Sequence, residues 1–152
     1  MKFLSNSPKE TQKIATKLAH KILKTKKGAV IALEGELGAG KTTFVKGFAK
    51  AFGIKSKIKS PTFVLMKKYK VAQGTNLYHL DCYRVRNYKD LRIPELKEIF
   101  YESHYNVRHC TMTHIVLIEW AERVREILPK KHITVHIDHI SENVRKIKID
   151  NF

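Results

Sequence analysis

The apolar run Ala29-Val30-Ile31-Ala32-Leu33 gives way, after Glu34, to Gly35-Glu36-Leu37-Gly38-Ala39-Gly40-Lys41-Thr42-Thr43-Phe44. A short, glycine-bounded apolar run suits a strand buried on both faces. Thr43 to Phe52, closed by Gly53, reads as a helix. A strand, a glycine loop and a helix in direct succession restrict the fold more than any other feature of the chain. Gly35, Gly40, Lys41 and Thr42 match the phosphate-binding pattern Gly-x-x-x-x-Gly-Lys-Thr in full. Glycines let backbone N–H groups turn inward around phosphate oxygens, where a Cβ would collide. The helix that starts at the loop points its positive end at the same anion. Lys41 can reach the β- and γ-phosphates, and the Thr42 hydroxyl can ligate Mg²⁺. The loop, Gly35 to Thr43, is expected to bind a nucleoside triphosphate. The guanine-reading Asn-Lys-x-Asp motif, a switch Asp-x-x-Gly and a transporter Leu-Ser-Gly-Gly-Gln signature are all absent, which leaves ATP as the default.

The rest of the pattern supports a layered domain. Ser7-Pro8-Lys9-Glu10 has the cap, the first-turn proline and the acid of a capping box. Ile14, Ala15, Leu18, Ile22 and Leu23 recur at helical spacing, and Lys26-Lys27-Gly28 is expected to end that helix. Phe63 to Val71 and Leu77 to Asp81 flank Gln73-Gly74-Thr75-Asn76 as a hairpin. A helix is expected over Pro94 to Glu102, a buried strand over His114 to Glu119, and a helix from about Ala121 to Leu128. Ile133 to Ile137 and Val144 to Ile149 alternate apolar with polar around Ser141-Glu142-Asn143, the mark of a second hairpin. The order implies one α/β domain over residues 1–152, P-loop NTPase-like, with a mixed sheet flanked by helices.

Composition narrows the setting. The net charge is +16, with 17 basic and 3 acidic side chains in residues 1–80 against 13 and 11 in residues 81–152. A field of that sign attracts polyanions, nucleotides and RNA included. Since lysine dominates and no basic-aromatic motif repeats, an ordinary solvated surface is the plainer reading. No apolar run approaches the roughly 20 residues that span a bilayer. Met1-Lys2-Phe3-Leu4-Ser5 lacks a signal-peptide core, and Cys82 and Cys110 make no disulfide framework. A reducing cytoplasm is the expected home.

Hydrolysis needs an acidic group near Mg²⁺ or the attacking water, and two strand ends offer one. Ile115-Val116-Leu117-Ile118 delivers Glu119, and Leu77-Tyr78-His79-Leu80 delivers Asp81. His104, His109, Cys110 and His114 cluster, but their spacing follows no recognised zinc pattern. His132, His136 and Asp138 suit the wet face of an alternating strand. Arg84, Arg86 and Arg92 suit surface charge, or a phosphate-clamping lid of the kind a small-molecule kinase needs.

Four segments together resemble the TsaE (YjeE) family of small bacterial P-loop ATPases. They are Gly35 to Phe44, Ser60-Pro61-Thr62-Phe63, Tyr78-His79-Leu80-Asp81-Cys82-Tyr83-Arg84, and Ile118-Glu119-Trp120-Ala121-Glu122-Arg123. The resemblance implies an ATPase for N6-threonylcarbamoyladenosine, beside the anticodon of tRNAs reading ANN codons, acting with TsaD and TsaB and reaching tRNA through that complex. By the match, Thr42 and Glu119 would ligate Mg²⁺ and Asp81 would be the catalytic acid, with Lys41 on the phosphates. Thr62 would sit on a switch-like loop near the γ-phosphate, Trp120 would help form the functional surface, and Thr11 would lie near the adenine. The stretch from Arg84 to His114 departs from the family: it is roughly ten residues longer and lacks the usual glycine. A small-molecule kinase and a basic RNA-binding module with a regulatory nucleotide site are the alternatives.

Overall fold

The computed structural model describes residues 1–71, 75–91, 93–94, 96–104 and 114–152. Among them, one sheet is built from β1 (Lys2–Ser5), β2 (Ala29–Glu34), β3 (Met66–Lys70), β4 (Asn76–Asp81), β5 (His114–Glu119), β6 (Ile133–His139) and β7 (Arg145–Asp150), in the spatial order β1-β7-β6-β2-β5-β4-β3. Strands β6, β2, β5 and β4 run parallel at its centre, and β3, β7 and β1 join antiparallel at the flanks. Every residue of β4 and β5 is buried, as parallel strands covered on both faces must be.

Alternation along the strands divides the core in two. Ile31, Leu33, Leu77, Ile115 and Leu117 pack under α1 (Pro8–Thr25) and α2 (Lys41–Ala51). Val30, Ala32, Tyr78, Leu80, Val116 and Ile118 face α3 (Leu96–His104) and the 3₁₀ segment Ala121–Ile127. Because side chains alternate along a strand, His79, Asp81 and Glu119 fall on the first face with Leu77, Ile115 and Leu117. The register sets Asp81 opposite Glu119 and Leu33 opposite Glu119 from the other side. The carboxyl ends of β2, β4 and β5 therefore stop at one level, where parallel sheets bind ligands.

Local chemistry explains the elements and several departures from expectation. The Ser7 side chain caps α1 by accepting from Glu10 N at 3.2 Å, and the Glu10 carboxylate accepts from Asn6 N at 2.6 Å rather than from Ser7. Helix α1 ends within the expected Lys26-Lys27-Gly28, its cap being Lys26 in the left-handed region. The run Phe63-Val64-Leu65 is not strand: Phe63 and Val64 are exposed, and β3 begins only after Leu65 turns to φ 60°. The segment after Glu119 is 3₁₀ rather than α, broken at Val124 (φ −133°), and Trp120 enters it left-handed and without a side-chain cap. β1, unforeseen from sequence, pairs with β7. Gln73 and Gly74 of the first turn lie outside the described residues.

Helix α2 lies against α1 so closely that Gly47 has no room for a side chain. A Cβ there would sit 2.4 Å from both Cα and O of Gln12, and Thr16 Oγ1 donates to the Gly47 carbonyl at 2.8 Å. Gly47→Ala is expected to destabilise the protein by about 1–3 kcal/mol, the cost of overpacking against backbone that cannot yield. Urea unfolding should show a lower midpoint with an unchanged slope.

Candidate functional site

The loop between β2 and α2 is shaped by its glycines. Gly35 has φ 137°, and a Cβ there would meet the Ile137 carbonyl oxygen at 2.3 Å. Gly38 and Gly40 also have positive φ, and Gly40 leads directly into α2. The Lys41 ammonium curls back to donate to the carbonyls of Gly35 (2.5 Å) and Glu36 (2.9 Å) and lies 3.6 Å over the Trp120 ring. Burial lowers its pKa from the usual lysine value, opposed by Glu122, Glu119 and Asp81 and aided by Arg123. A cation so placed gains from any polyanion that enters the loop.

Thr42 Oγ1 donates to the Glu119 carboxylate, with separations of 2.8 and 3.0 Å to its two oxygens. This joins the first turn of α2 to the end of β5. Mg²⁺ takes oxygen ligands and is usually held by one or two carboxylates together with substrate phosphates. A hydroxyl and a buried carboxylate in contact beside the loop fit that cation. Asp81 forms the second polar cluster. Ser60 and Thr62 hydroxyls both donate to its Oδ2, Thr62 at 2.8 Å, and Tyr83 N donates to Oδ1 at 3.0 Å. The backbone repeats the linkage, since Asp81 N donates to Leu65 O at 3.0 Å.

Lys41, Thr42, Thr62, Asp81, Glu119 and Trp120 share one cavity of about 480 Å³. A smaller cavity of about 100 Å³ lies on the other side of the loop, lined by Thr11, Gly38, Gly40, Thr43 and Arg145 among others. Thr11 is thus beside the loop, its hydroxyl 2.8 Å from that of Ser5. Glu36 and Leu37 are exposed at the loop tip, and Ala39 is buried. Trp120 packs against the second core while lining the cavity. Its left-handed φ of 61° is strain held next to Glu119.

Two residues at the site escaped the sequence reading. Arg145, on β7, donates to Ala39 O (3.0 Å) and Gly38 O (3.3 Å) and so braces the loop from the second hairpin. His79 is fully buried with Nε2 2.8 Å from Glu119 Oε1. Its place two residues before Asp81 on the same strand face was the available signal. Other residues lie elsewhere. Arg84 is exposed and stacks on Phe63 at 4.3 Å, and Arg86 is exposed. His136, 44 % exposed, pairs with Asp138 at 2.9 Å on an open sheet face. Arg92, His109, Cys110 and the side chain of His104 lie outside the described residues. Among the described residues no helix is long and apolar enough to cross a membrane.

A phosphate loop after a central parallel strand, with one acid at the end of the adjacent strand β5 and another at the end of β4 beyond it, defines a P-loop NTPase-like α/β protein. The family model described as "Threonylcarbamoyl adenosine biosynthesis protein TsaE" matches residues 5–147. Relatives named "tRNA threonylcarbamoyladenosine biosynthesis protein TsaE" include one from Bacillus subtilis, 34 % identical over 97 % of this chain and 83 % of its own. Those from Treponema pallidum (33 %; 98 % and 99 % covered) and Aquifex aeolicus (36 %; 98 % of each) are similar along nearly their whole length. The crystal structure of Bacillus subtilis YdiB superposes with a TM-score of 0.71 at 31 % identity, covering 98 % of this chain and 83 % of that one. The chain belongs to the TsaE family.

Cys82 lies between Asp81 and Tyr83 in sequence but points into the second core, where burial, with Asp81 and Glu122 nearby, pushes its thiol up to about 12. It is no nucleophile. In a Cys110→Ser background, native protein at pH 8 should leave Cys82 unmodified by a thiol reagent and release it only on unfolding. Stability should fall as pH rises above about 9, because the unfolded thiol ionises there and the folded one does not; the unfolding midpoint between pH 8 and 10 measures this.

Proposed function

We propose that this chain is an ATP-binding, Mg²⁺-dependent ATP hydrolase of the machinery that forms N6-threonylcarbamoyladenosine in tRNA. The reading rests most on one observation: the Thr42–Glu119 contact, with Asp81 paired opposite Glu119 on the next strand. Lys41 and the loop N–H groups hold the phosphates, and Thr42 and Glu119 hold the cation, which when bound neutralises phosphate charge. Asp81, kept in place by Ser60, Thr62 and Tyr83 N, orients the attacking water and takes its proton. Thr62 acts through Asp81 and the loop it sits on. Thr11 and the smaller cavity serve the nucleoside end.

TsaD and TsaB are the proposed partners, with tRNA met through their complex, in the cytoplasm. What supports a partner is the rim of the site: Leu37, Phe63, Val64 and Tyr83 are exposed apolar side chains, and Leu37, Phe63 and Tyr83 line the larger cavity. A P-loop open to solvent on that side turns over slowly until a second protein completes it.

Lys41→Ala should weaken ATP binding about 10–100-fold, the worth of charge-assisted hydrogen bonds. Asp81→Ala should leave binding within about threefold and lower kcat roughly 10²–10⁴-fold, while Glu119→Ala should act mainly on Mg²⁺-dependent turnover. Isotherms beside steady-state rates separate the three. In a mixture of this protein, TsaD, TsaB, tRNA, threonine, bicarbonate, ATP and the enzyme that makes threonylcarbamoyl-adenylate, modified adenosine should accumulate over repeated turnovers only with Lys41 intact. Unchanged modification without the protein would refute the pathway role; stoichiometric phosphate transfer to a metabolite would replace hydrolysis with kinase chemistry.

A further inference from the structure

The face of β4 and β5 below the two acids is aliphatic, built from Leu77, Ile115 and Leu117, with one exception. His79 sits among them with no exposed surface. It stands opposite Leu117 in the parallel register, one side-chain layer beneath the Asp81–Glu119 pair. From there its ring reaches diagonally across to Glu119, with Nε2 2.8 Å from Oε1. Diagonal neighbours on one sheet face are within reach of long and ring side chains. Nδ1 is buried and has no hydrogen-bond partner among the described residues.

A histidine kept here for packing is hard to justify physically. Burying a polar ring atom without a partner costs free energy that an aliphatic side chain would not incur. Among the described residues the one polar contact this ring makes is with Glu119, and Glu119 is also the acceptor of the Thr42 hydroxyl. A carboxylate oxygen accepts, so Nε2 carries the proton and donates. The division of labour on the carboxylate follows. Oε1 is shared between His79 and Thr42, whereas among the described residues Oε2 accepts from Thr42 alone and is the oxygen with capacity left for a cation.

We propose that His79 is a positioning residue for the cation site: its Nε2–H holds Glu119 Oε1 so that Oε2 stays turned toward Thr42 and the phosphate loop. The inference rests on the Mg²⁺–ATP reading above. A hydrogen bond to a ligating carboxylate typically carries a 10–100-fold effect on metal affinity when it is removed. Since His79 makes no hydrogen bond to the glycine loop among the described residues, its loss is expected to leave metal-free nucleotide binding alone.

The test uses the full chain and two exchanges. His79→Leu fills the space without a donor, and His79→Gln keeps an N–H donor at the far end of the side chain. Mn²⁺ binding to the protein–ADP complex, followed by its electron paramagnetic resonance signal, should weaken about 10–100-fold in His79→Leu. It should recover at least partly in His79→Gln. ADP affinity in EDTA should stay within about threefold in both. In a Glu119→Ala background, His79→Leu should change Mn²⁺ affinity no further, because the histidine acts through that carboxylate. A folded His79→Leu protein with wild-type Mn²⁺ affinity overturns the proposal, as does an undiminished effect in the Glu119→Ala background. If His79→Leu does not fold, the wild-type chain decides: ¹⁵N-histidine spectra must show His79 protonated at Nε2, and protonation at Nδ1 alone overturns the proposal. Failure of the wild-type protein to bind nucleotide in a Lys41-dependent way would instead overturn the ATPase reading.

Discussion

The parallel register that ends β2, β4 and β5 at one level governs the whole site. Leu33 and Asp81 both stand opposite Glu119, so the glycine loop and two carboxylates emerge side by side. A slip of one residue in β4 would turn Asp81 and His79 into the second core and bring Leu80 to the loop. That slip is prevented by the bulk of the strands, not by the site. Leu77, Leu80, Ile115, Leu117 and Ile118 are each buried almost completely, and burying such a side chain stabilises by about 1.5–3 kcal/mol. Polar residues at the strand ends are carried to their positions by aliphatic neighbours that have no part in the chemistry.

Once delivered, the two acids are held by separate sets of donors. Glu119 receives Thr42 and His79, which tie it to α2 and to the strand below. Asp81 receives Ser60 and Thr62, which tie it to the loop between α2 and β3, and the N–H of Tyr83 just beyond its own strand. The backbone is strained at one point in each set, at Trp120 after Glu119 and at Leu65 beyond Thr62. Strain of this kind persists only where surrounding packing over-determines it, and it gathers at working sites. The division leaves one carboxylate facing the glycine loop and the other facing the segment that carries Ser60 and Thr62.

Electrostatics at the site runs against that of the chain. The protein carries +16 overall, yet Lys41 is surrounded by Glu119, Glu122 and Asp81, which oppose the effect of burial on its ammonium. Local acids work against the lowering of this buried lysine's pKa, while the basic exterior favours the approach of polyanions over long range. At the rim, exposed Leu37, Phe63 and Val64 add an apolar border that neither effect requires.

Much of this was legible from residue order alone. The glycine loop, the buried strand before it and the two strand-end acids follow from local pattern, because each depends on what a short segment can do by itself. The resemblance to TsaE was legible for the same reason, being carried by four short segments in a fixed order. What sequence misread were the segments whose state depends on distant partners. Phe63-Val64-Leu65 has the composition of a strand, but tertiary structure makes it a loop because Ser60 and Thr62 must reach Asp81. The stretch after Glu119 has helical composition, yet it forms a broken 3₁₀ segment entered through the left-handed Trp120. Arg145 bracing Gly38 and Ala39 from more than a hundred residues away, and His79 reaching Glu119 across a parallel pair, exist only once the sheet has formed. Local periodicity determines which groups are present and which way each strand faces; the sheet's order and register alone decide which of them meet.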